Sequence, residues 1–308
     1  MILIVNLNLA VDCIVHLDAL TPGEVHRTSD VERLPGGKGV NVARVLKALG
    51  EPALLTGMTG GRAGDLIQHG LESEELPSSC VPVKNESRTC IILDDQATRT
   101  QTVINEAGAL VSEEELTAFL EHYAQLLSTS DMVVITGSLP PKLPQEVYAE
   151  LISAANELSK PVLLDTSAEP LRMALGARPF LVKVNGAEAG ALLNLQINDF
   201  AEAARAARIF IESGARHSMI TLGARGAVLN FEGVEYSLRP PRVEARNSVG
   251  SGDAVMAGLA FGLMRGLDAE ETARLAMAAG AANSLRGAGR VTAEEIYRLQ
   301  EDVTLFRA

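Results

Sequence analysis

The stretch Asn247-Ser-Val-Gly-Ser-Gly-Asp253, followed by the apolar run 254–264, carries the most information about the fold. Gly250 and Gly252 allow a sharp turn that brings backbone N–H groups close to a ligand. Because a buried helix starts directly after this turn, its dipole favours an anion such as a phosphoryl group. Asp253 then stands where it can accept the proton of an attacking hydroxyl. The alternative is a simple cap, since Asp is common at helix N-termini.

Elsewhere, short β-prone apolar runs alternate with helical patterns. One amphipathic helix is expected to stop at Gly50, and two capping-box pairs, Ser112 with Glu115 and Thr292 with Glu295, predict further helix starts. This alternation predicts an α/β fold with a mainly parallel central sheet covered by helices on both faces. The predicted strands lie at 2–7, 53–56, 90–93, 132–136, 162–164, 180–184 and 218–222.

Two segments, 11–34 and 88–105, show polar, β-prone alternation without intervening helices. They are expected to form a small antiparallel layer outside the main sheet, serving either as a lid over the ligand crevice or as an ordinary edge hairpin. With no linker-like tract between them and the rest, residues 1–308 are predicted to form a single domain.

The composition limits the possible partners. The chain has 308 residues and a formal net charge of −12, without a Lys/Arg run, so a duplex nucleic acid is not an expected partner. The longest apolar stretch apart from the N-terminal one, 254–264, is shorter than the roughly 20 residues that cross a bilayer. The three cysteines of the chain have no CxxC spacing, which fits a reducing compartment. We therefore expect a cytoplasmic protein without a membrane partner.

A second glycine turn, Pro35-Gly-Gly-Lys-Gly-Val-Asn41, opens the helix that ends at Gly50. Lys38 can meet a phosphate as a point charge, and the Asn41 amide can bind two hydroxyls at once. The pair of turns predicts a site for a phosphorylated sugar. Neither turn is a Walker A loop, because GxxxxGK[ST] is absent from the chain.

Together, GGKGVN near the N-terminus and NSVGSGD about 200 residues later resemble the signatures of the ribokinase-like carbohydrate kinases. More narrowly, they resemble the phosphofructokinase-B family. The resemblance spans nearly the whole chain, and the intermediate blocks follow in family order: TVINEAG at 102–108, TGSLP at 136–140, DTS at 165–167, NGAE at 185–188 and TLGARG at 221–226.

The resemblance implies a role for each matching position. Asp253 is expected to be the catalytic base, with an anion hole formed by the amides of Gly250, Ser251 and Gly252. Substrate-binding positions are Asp12, Gly37, Lys38, Asn41, Arg88, Asn105 and Ser138, with Arg88 clamping the phosphate already on the sugar. ATP-binding positions are Asn185, Glu188, Thr221, Gly223, Gly226 and Asn283, with Asn283 on the adenine side. Glu188 is expected to organise Mg²⁺, partly through water.

Four positions depart from the family pattern. Leu9 and Val184 replace prolines, Ala168 replaces a glycine, and Ser251 replaces the commoner alanine. The last change is harmless if backbone amides bind the anion. Loss of the prolines puts the substrate preference in doubt.

Lys38 and the 102–108 block resemble the 1-phosphofructokinase and tagatose-6-phosphate kinase branch. The resemblance implies ATP-dependent phosphorylation of a primary hydroxyl of a ketohexose phosphate. Fructose 1-phosphate is favoured, followed by tagatose 6-phosphate and fructose 6-phosphate. A non-catalytic sugar-phosphate-binding regulator is the alternative from another class. Family members commonly pair their lids, so a homodimer is expected.

Overall fold

The computed structural model describes residues 1–307, which form two β-sheets and ten α-helices. In chain order the strands are β1 Ile2–Asn6, β2 Ala10–Leu17, β3 Val31–Gly36, β4 Ala53–Gly60, β5 Val81–Val83, β6 Arg88–Asp95, β7 Thr100–Asn105, β8 Met132–Thr136, β9 Val162–Asp165, β10 Leu181–Asn185, β11 His217–Thr221, β12 Ala227–Phe231, β13 Val234–Arg239 and β14 Thr304–Arg307. The helices are α1 Lys38–Ala48, α2 Gly61–Ser73, α3 Glu113–Ser128, α4 Val147–Glu157, α5 Ala168–Leu175, α6 Gly186–Leu193, α7 Phe200–Glu212, α8 Ser251–Met264, α9 Ala269–Ser284 and α10 Ala293–Gln300.

The larger sheet has ten strands in the order β14-β13-β12-β11-β10-β9-β8-β1-β4-β5. The strands β11-β10-β9-β8-β1-β4-β5 are parallel to one another. Strands β12, β13 and β14 add an antiparallel edge beside β11. Alternate residues of β1 face opposite sides. Ile2 and Ile4 pack with α1, α2, α8, α9 and α10, whereas Leu3 and Val5 pack with α3 to α7. The predicted α/β architecture with helices on both faces is confirmed.

The predicted helix termini are formed by the expected hydrogen bonds. Ser112 caps α3 by accepting from the Glu115 amide, and Thr292 caps α10 by accepting from that of Glu295. Helix α1 ends just before Gly50, which adopts φ 72°. A left-handed residue at this position stops a helix, and glycine adopts it without strain.

The smaller sheet, which we call the lid sheet, has the strand order β3-β2-β6-β7. We predicted an antiparallel layer, but its central pair, β2 with β6, is parallel, and only the outer pairs are antiparallel. The reason is that α1, β4, α2 and β5 intervene between β3 and β6, and β6 returns beside β2 in the same direction. The lid sheet is therefore mixed.

The strands of the larger sheet bring chemically different loops to its two ends. The strands β1, β9, β10 and β11 end at Asn6, Asp165, Asn185 and Thr221. These residues lie at the carboxyl end of the sheet, where α/β proteins bind ligands.

Within residues 1–307, none of the helices has the length and apolar character needed to span a bilayer.

Candidate active site

The two glycine turns, far apart in sequence, meet in the structure. Asn41 in the first turn of α1 donates through Nδ2 to Asp253 Oδ2 at 2.8 Å. A Cβ atom added to Gly250 would lie 3.1 Å from the same Asn41 nitrogen, so the two turns are in close contact. Gly250 adopts φ 82°, a conformation that side-chain-bearing residues rarely take. The convergence that the sequence predicted is present.

Asp253 is not a helix cap. It is the third residue of α8, and the N-cap position, Gly250, makes no side-chain capping bond. The carboxyl group is buried, and burial raises its pKa to about 6, supported by the neighbouring Asp165 charge and opposed by Lys38, Lys183 and the Asn41 hydrogen bond. The raised pKa makes its carboxylate a stronger proton acceptor at the turn.

A buried network of charges supports the turn. Asp165, at the end of β9, is fully buried and pairs with Lys38 Nζ at 2.8 Å and with Lys183 Nζ. Lys183 also donates to the carbonyl oxygen of Gly252 at 3.1 Å. Burial acts to raise the pKa of Asp165, but the two ammonium groups outweigh it and hold that pKa at about 2. The network ties the 250–252 turn to the sheet.

Lys38, at the start of α1, joins the same charge network. Its ammonium group pairs with Asp165 and stands 3.6 Å from Glu188 Oε1. Burial acts to lower the pKa of Lys38, but the carboxylates of Asp165, Asp253 and Glu188 outweigh it and raise that pKa. We predicted that Lys38 meets the phosphate already on the sugar. In the structure its ammonium group lies among the carboxylates of Asp165, Glu188 and Asp253.

Asn41, predicted to bind the sugar, contacts two protein groups through its amide. Its Nδ2 donates to Asp253, and its Oδ1 accepts from Arg44 at 3.3 Å. The guanidinium of Arg44 is in turn held by Glu74 and the Pro35 carbonyl. Asn41 thus orients the Asp253 carboxylate, while one N–H group and one lone pair of the amide are left for a sugar hydroxyl.

Asn283 was predicted on the adenine side of the nucleotide, but the structure places it behind the 250–252 turn. The side chain is fully buried. It donates to the Val249 carbonyl at 2.9 Å and to Ser251 Oγ at 3.1 Å, and it accepts from the Gly289 amide. Because both ends of the amide are used, Asn283 holds the shape of the turn and presents no free group to a ligand.

The lid sheet contributes a row of paired positions to the site. Asp12 lies opposite Cys90, and Cys90 lies opposite Asn105, so these side chains share one face of the sheet. A Cβ on Gly36 would lie 2.2 Å from the Asp12 carboxyl carbon, which explains the first glycine of the turn. Burial raises the pKa of Asp12, while Arg44, Arg88 and Cys90 act to lower it.

Arg88 begins β6 and reaches the loop after β1. Its Nε donates to the Asn8 carbonyl at 3.0 Å. Within residues 1–307, the two terminal guanidinium nitrogens of Arg88 have no hydrogen-bond partner. Asn8 itself donates to Ser138 Oγ at 3.1 Å and to the Ala107 carbonyl. Asn8 therefore links Arg88 to Ser138 through hydrogen bonds.

Asn185 and Glu188 form a capping box at the start of α6. Glu188 Oε2 accepts from the Asn185 amide at 3.0 Å, and Asn185 Oδ1 accepts from that of Glu188 at 2.9 Å. Across the described chain, no cluster of three or more His, Cys, Asp or Glu side chains could hold a metal ion. Mg²⁺ retains several waters, so the single partly exposed carboxylate of Glu188 fits a water-mediated contact only.

An apolar cavity of about 490 Å³ opens beside the catalytic turn. Its wall includes Ser251 and Gly252 of the turn and Thr221, Gly223 and Gly226 after β11. A Cβ on Gly226 would lie 1.9 Å from the Leu238 carbonyl, so this glycine is needed for the approach of two strands. The predicted nucleotide positions Thr221, Gly223 and Gly226 thus share one cavity with the anion-binding turn.

Two candidate site residues, Asp165 and Lys183, were not predicted from the sequence. A signal was available, because Lys183 stands inside an apolar strand and a buried ammonium group needs a carboxylate partner. Asp165 was noted only as part of the DTS block at 165–167, without a role of its own.

Comparisons with known proteins find relatives that match nearly the whole chain. The chain is 36% identical over 284 residues to the 1-phosphofructokinase of Bacillus subtilis, covering 92% of each sequence. Escherichia coli phosphofructokinase-2, with structures that include a fructose-6-phosphate complex and a tetrameric inhibited form, matches with a TM-score of 0.90 at 28% identity over 97% of this chain and 98% of that chain. A possible 1-phosphofructokinase from Thermotoga maritima matches with a TM-score of 0.91 at 27% identity over 100% of this chain and 99% of that chain. The family model described as pfkB family carbohydrate kinase matches residues 5–295, and the chain belongs to this family.

Proposed function

We propose that this kinase transfers the γ-phosphoryl group of ATP to a primary hydroxyl of fructose 1-phosphate, giving fructose 1,6-bisphosphate. The observation that carries the proposal is the buried Asp253 carboxyl, held by Asn41 beside the Gly250–Gly252 turn. The similarity to the Bacillus subtilis 1-phosphofructokinase supports the choice of substrate.

In the proposed reaction, Asp253 accepts the proton of the attacking hydroxyl. With a pKa raised to about 6 by burial, the group is ionised at neutral pH and binds a proton more strongly than an exposed carboxylate. Asn41 fixes one carboxylate oxygen at 2.8 Å, which leaves the other oxygen to face the sugar. The base is thus oriented before the substrate binds.

The transferred phosphoryl group carries negative charge, which backbone amides, a lysine side chain and a bound Mg²⁺ can stabilise. The Ser251 amide, predicted to bind the anion, donates to the Ser248 carbonyl at 3.1 Å. The backbone amides of Gly250 and Gly252 lie at the N-terminus of α8, where the helix dipole favours an anion. The Lys183 contact with the Gly252 carbonyl fixes their orientation. Lys38 adds a positive charge, and Mg²⁺, when bound near Glu188, supplies further charge neutralisation of the ATP phosphates.

The sugar phosphate is proposed to bind between the lid sheet and the catalytic turn. Asp12 and Asn105 share the lid face and can accept and donate hydrogen bonds to sugar hydroxyls. The terminal nitrogens of Arg88 can grip the phosphate already present on the sugar, with Ser138 in the same pocket. The adenosine part of ATP is assigned to the apolar cavity beside Ser251.

The proposal is tested by measuring ADP release with purified protein over a panel of fructose 1-phosphate, tagatose 6-phosphate and fructose 6-phosphate. We expect the highest kcat/KM with fructose 1-phosphate. The specific alternative is fructose 6-phosphate, because the Escherichia coli relative was crystallised with it. Binding of these sugars without turnover of any would instead support a regulator, although Asp253 and both turn glycines are retained.

We further propose a homodimer formed through the lid sheets. Strand β7 is an edge of this sheet and is largely exposed, with Ile104 52% exposed. Ile104 lies opposite Ile91, on the face away from Asp12. We expect Ile104→Glu to convert the dimer to a monomer in light scattering, while Leu66→Glu, also 52% exposed but on α2, leaves it a dimer. An unchanged mass for both variants would exclude this interface.

We place the reaction in the cytoplasm. Cys13, Cys80 and Cys90 are all free in the structure, which suits a reducing compartment supplied with ATP. Fractionation of cells expressing the protein at its natural level tests this placement, and recovery outside the cytoplasmic fraction would contradict it.

A further inference from the structure

A separate cavity of about 760 Å³ lies at the end of the main sheet opposite to the catalytic turn. It is bordered by the three loops that lead into the adjacent parallel strands β9, β10 and β11. The active site uses the carboxyl ends of these strands, whereas this cavity lies at their amino ends. Its volume falls in the range of small-molecule sites, about 300–1,000 Å³.

Each of the three loops contributes one cation to the cavity wall. Lys160 precedes β9, Arg178 precedes β10 and Arg216 precedes β11, while Glu212 is the only acidic residue of the lining. Within residues 1–307, none of the three cations has a carboxylate oxygen within 4 Å. On a chain with a net charge of −12, such a local excess of positive charge is unusual. It creates a potential that attracts anions.

Local structure restrains the Arg216 side chain and the backbone that carries Arg178. The Arg216 guanidinium lies 5.4 Å from the centre of the Phe180 ring, an arrangement that restrains it while its N–H edges stay available. Asn156 donates to the Ala177 carbonyl at 2.7 Å and so fixes the turn before β10. Arg178 itself adopts φ 59°, a conformation that a non-glycine residue keeps only when its surroundings impose it.

We propose that this cavity is a second binding site, which takes a small phosphate-bearing anion. Two guanidinium groups and one ammonium group provide the donors that phosphate oxygens prefer. The Phe180 ring supplies an apolar wall for the part of the ligand that carries the phosphate. Because the cavity lies at the opposite end of the strands from Asp253, the ligand can bind while the active site is occupied.

Isothermal titration with inorganic pyrophosphate, at low ionic strength, tests this site. The test variant is the double change R178A/R216A. The matched control is R62A/R205A, which removes the same charge from two exposed positions on α2 and α7. Any binding at the active site is common to all proteins, so only the component lost in the test variant reports on this cavity. The variant R178Q/R216Q keeps side-chain bulk and serves if R178A/R216A unfolds.

We expect wild type and the R62A/R205A control to show a binding component that is at least tenfold weaker in the test variant. That component should weaken as salt is added, because charge–charge attraction is screened. Turnover at saturating substrates should stay equal in all variants. Identical isotherms for all proteins, or equal loss in the control, would overturn the proposal.

Discussion

Replacement of Asp253 by Asn should abolish most activity and yet stabilise the protein. Asn cannot accept the hydroxyl proton, and loss of a general base costs about 10²–10⁴-fold in rate. The Asn side chain has nearly the same shape and can keep the contact with Asn41. ATP binding should therefore remain nearly unchanged, since the apolar cavity and the backbone amides of the turn are untouched.

The expected gain in stability follows from the pKa of Asp253. In the unfolded chain the group titrates near 3.8, and in the folded protein burial raises the pKa to about 6. Between these values the folded state binds more protons, so wild-type stability falls as pH rises through this window. Above pH 6 the cost of ionisation reaches about 3 kcal/mol. Asn removes this cost, so the stability advantage of the variant should be largest at pH 8 and shrink towards pH 4.

The assay is urea unfolding of wild type and D253N at several pH values, together with turnover measurements. The control is D268A, since Asp268 is a true cap whose carboxylate accepts from the Glu271 amide at 2.8 Å. D268A should lose about 1 kcal/mol at neutral pH and keep its turnover. If D253N instead lost stability at pH 8 and kept most of its turnover, Asp253 would be a structural residue and the reasoning would be refuted.

Three further changes test other parts of the structure. Arg88→Ala should raise the KM for the sugar phosphate and leave the KM for ATP unchanged, as measured by steady-state kinetics. Asp165→Asn should destabilise the protein by about 3–5 kcal/mol in urea unfolding, because it leaves the buried ammonium group of Lys183 without its carboxylate partner. Ala168→Gly should stabilise the protein by about 1 kcal/mol in urea unfolding, because Ala168 adopts φ 55°, which costs a residue with a side chain more than glycine.

Each of these has a clear contrary outcome. For Arg88, the control is Arg33→Ala, an exposed change on strand β3 of the same lid sheet, and equal effects on both KM values would contradict the phosphate clamp. For Asp165→Asn, a midpoint of urea unfolding equal to that of the wild type would show that the charge network contributes little to stability. For Ala168, a loss of stability would mean that the methyl group makes contacts that outweigh the backbone strain.

Much of the fold followed from local patterns. The capping pair Ser112 and Glu115 predicted a helix start because it satisfies amide groups that a helix always leaves free. The lid strands were also found, but not their pairing. The parallel contact between β2 and β6 joins segments almost 80 residues apart, and nothing local determines which strand lies beside which.

The site was predicted in part. The two turns and Asp253 were found because glycine before a helix start has a local meaning for anion binding. The hydrogen-bond partners of Lys38, Asn41 and Asn283 were not predicted. Each of these side chains contacts a group more than 30 residues away along the chain. Which group a long side chain contacts depends on packing that only the folded chain defines.

The most direct test of the central claim is a crystal structure with a non-hydrolysable ATP analogue and fructose 1-phosphate bound. The proposed mechanism predicts an Asp253 carboxylate oxygen within about 2.6–3.2 Å of the accepting primary hydroxyl, with the γ-phosphate against the 250–252 amides. A sugar whose primary hydroxyls all lie beyond hydrogen-bonding reach of Asp253, in a complex with the γ-phosphate held elsewhere, would contradict it.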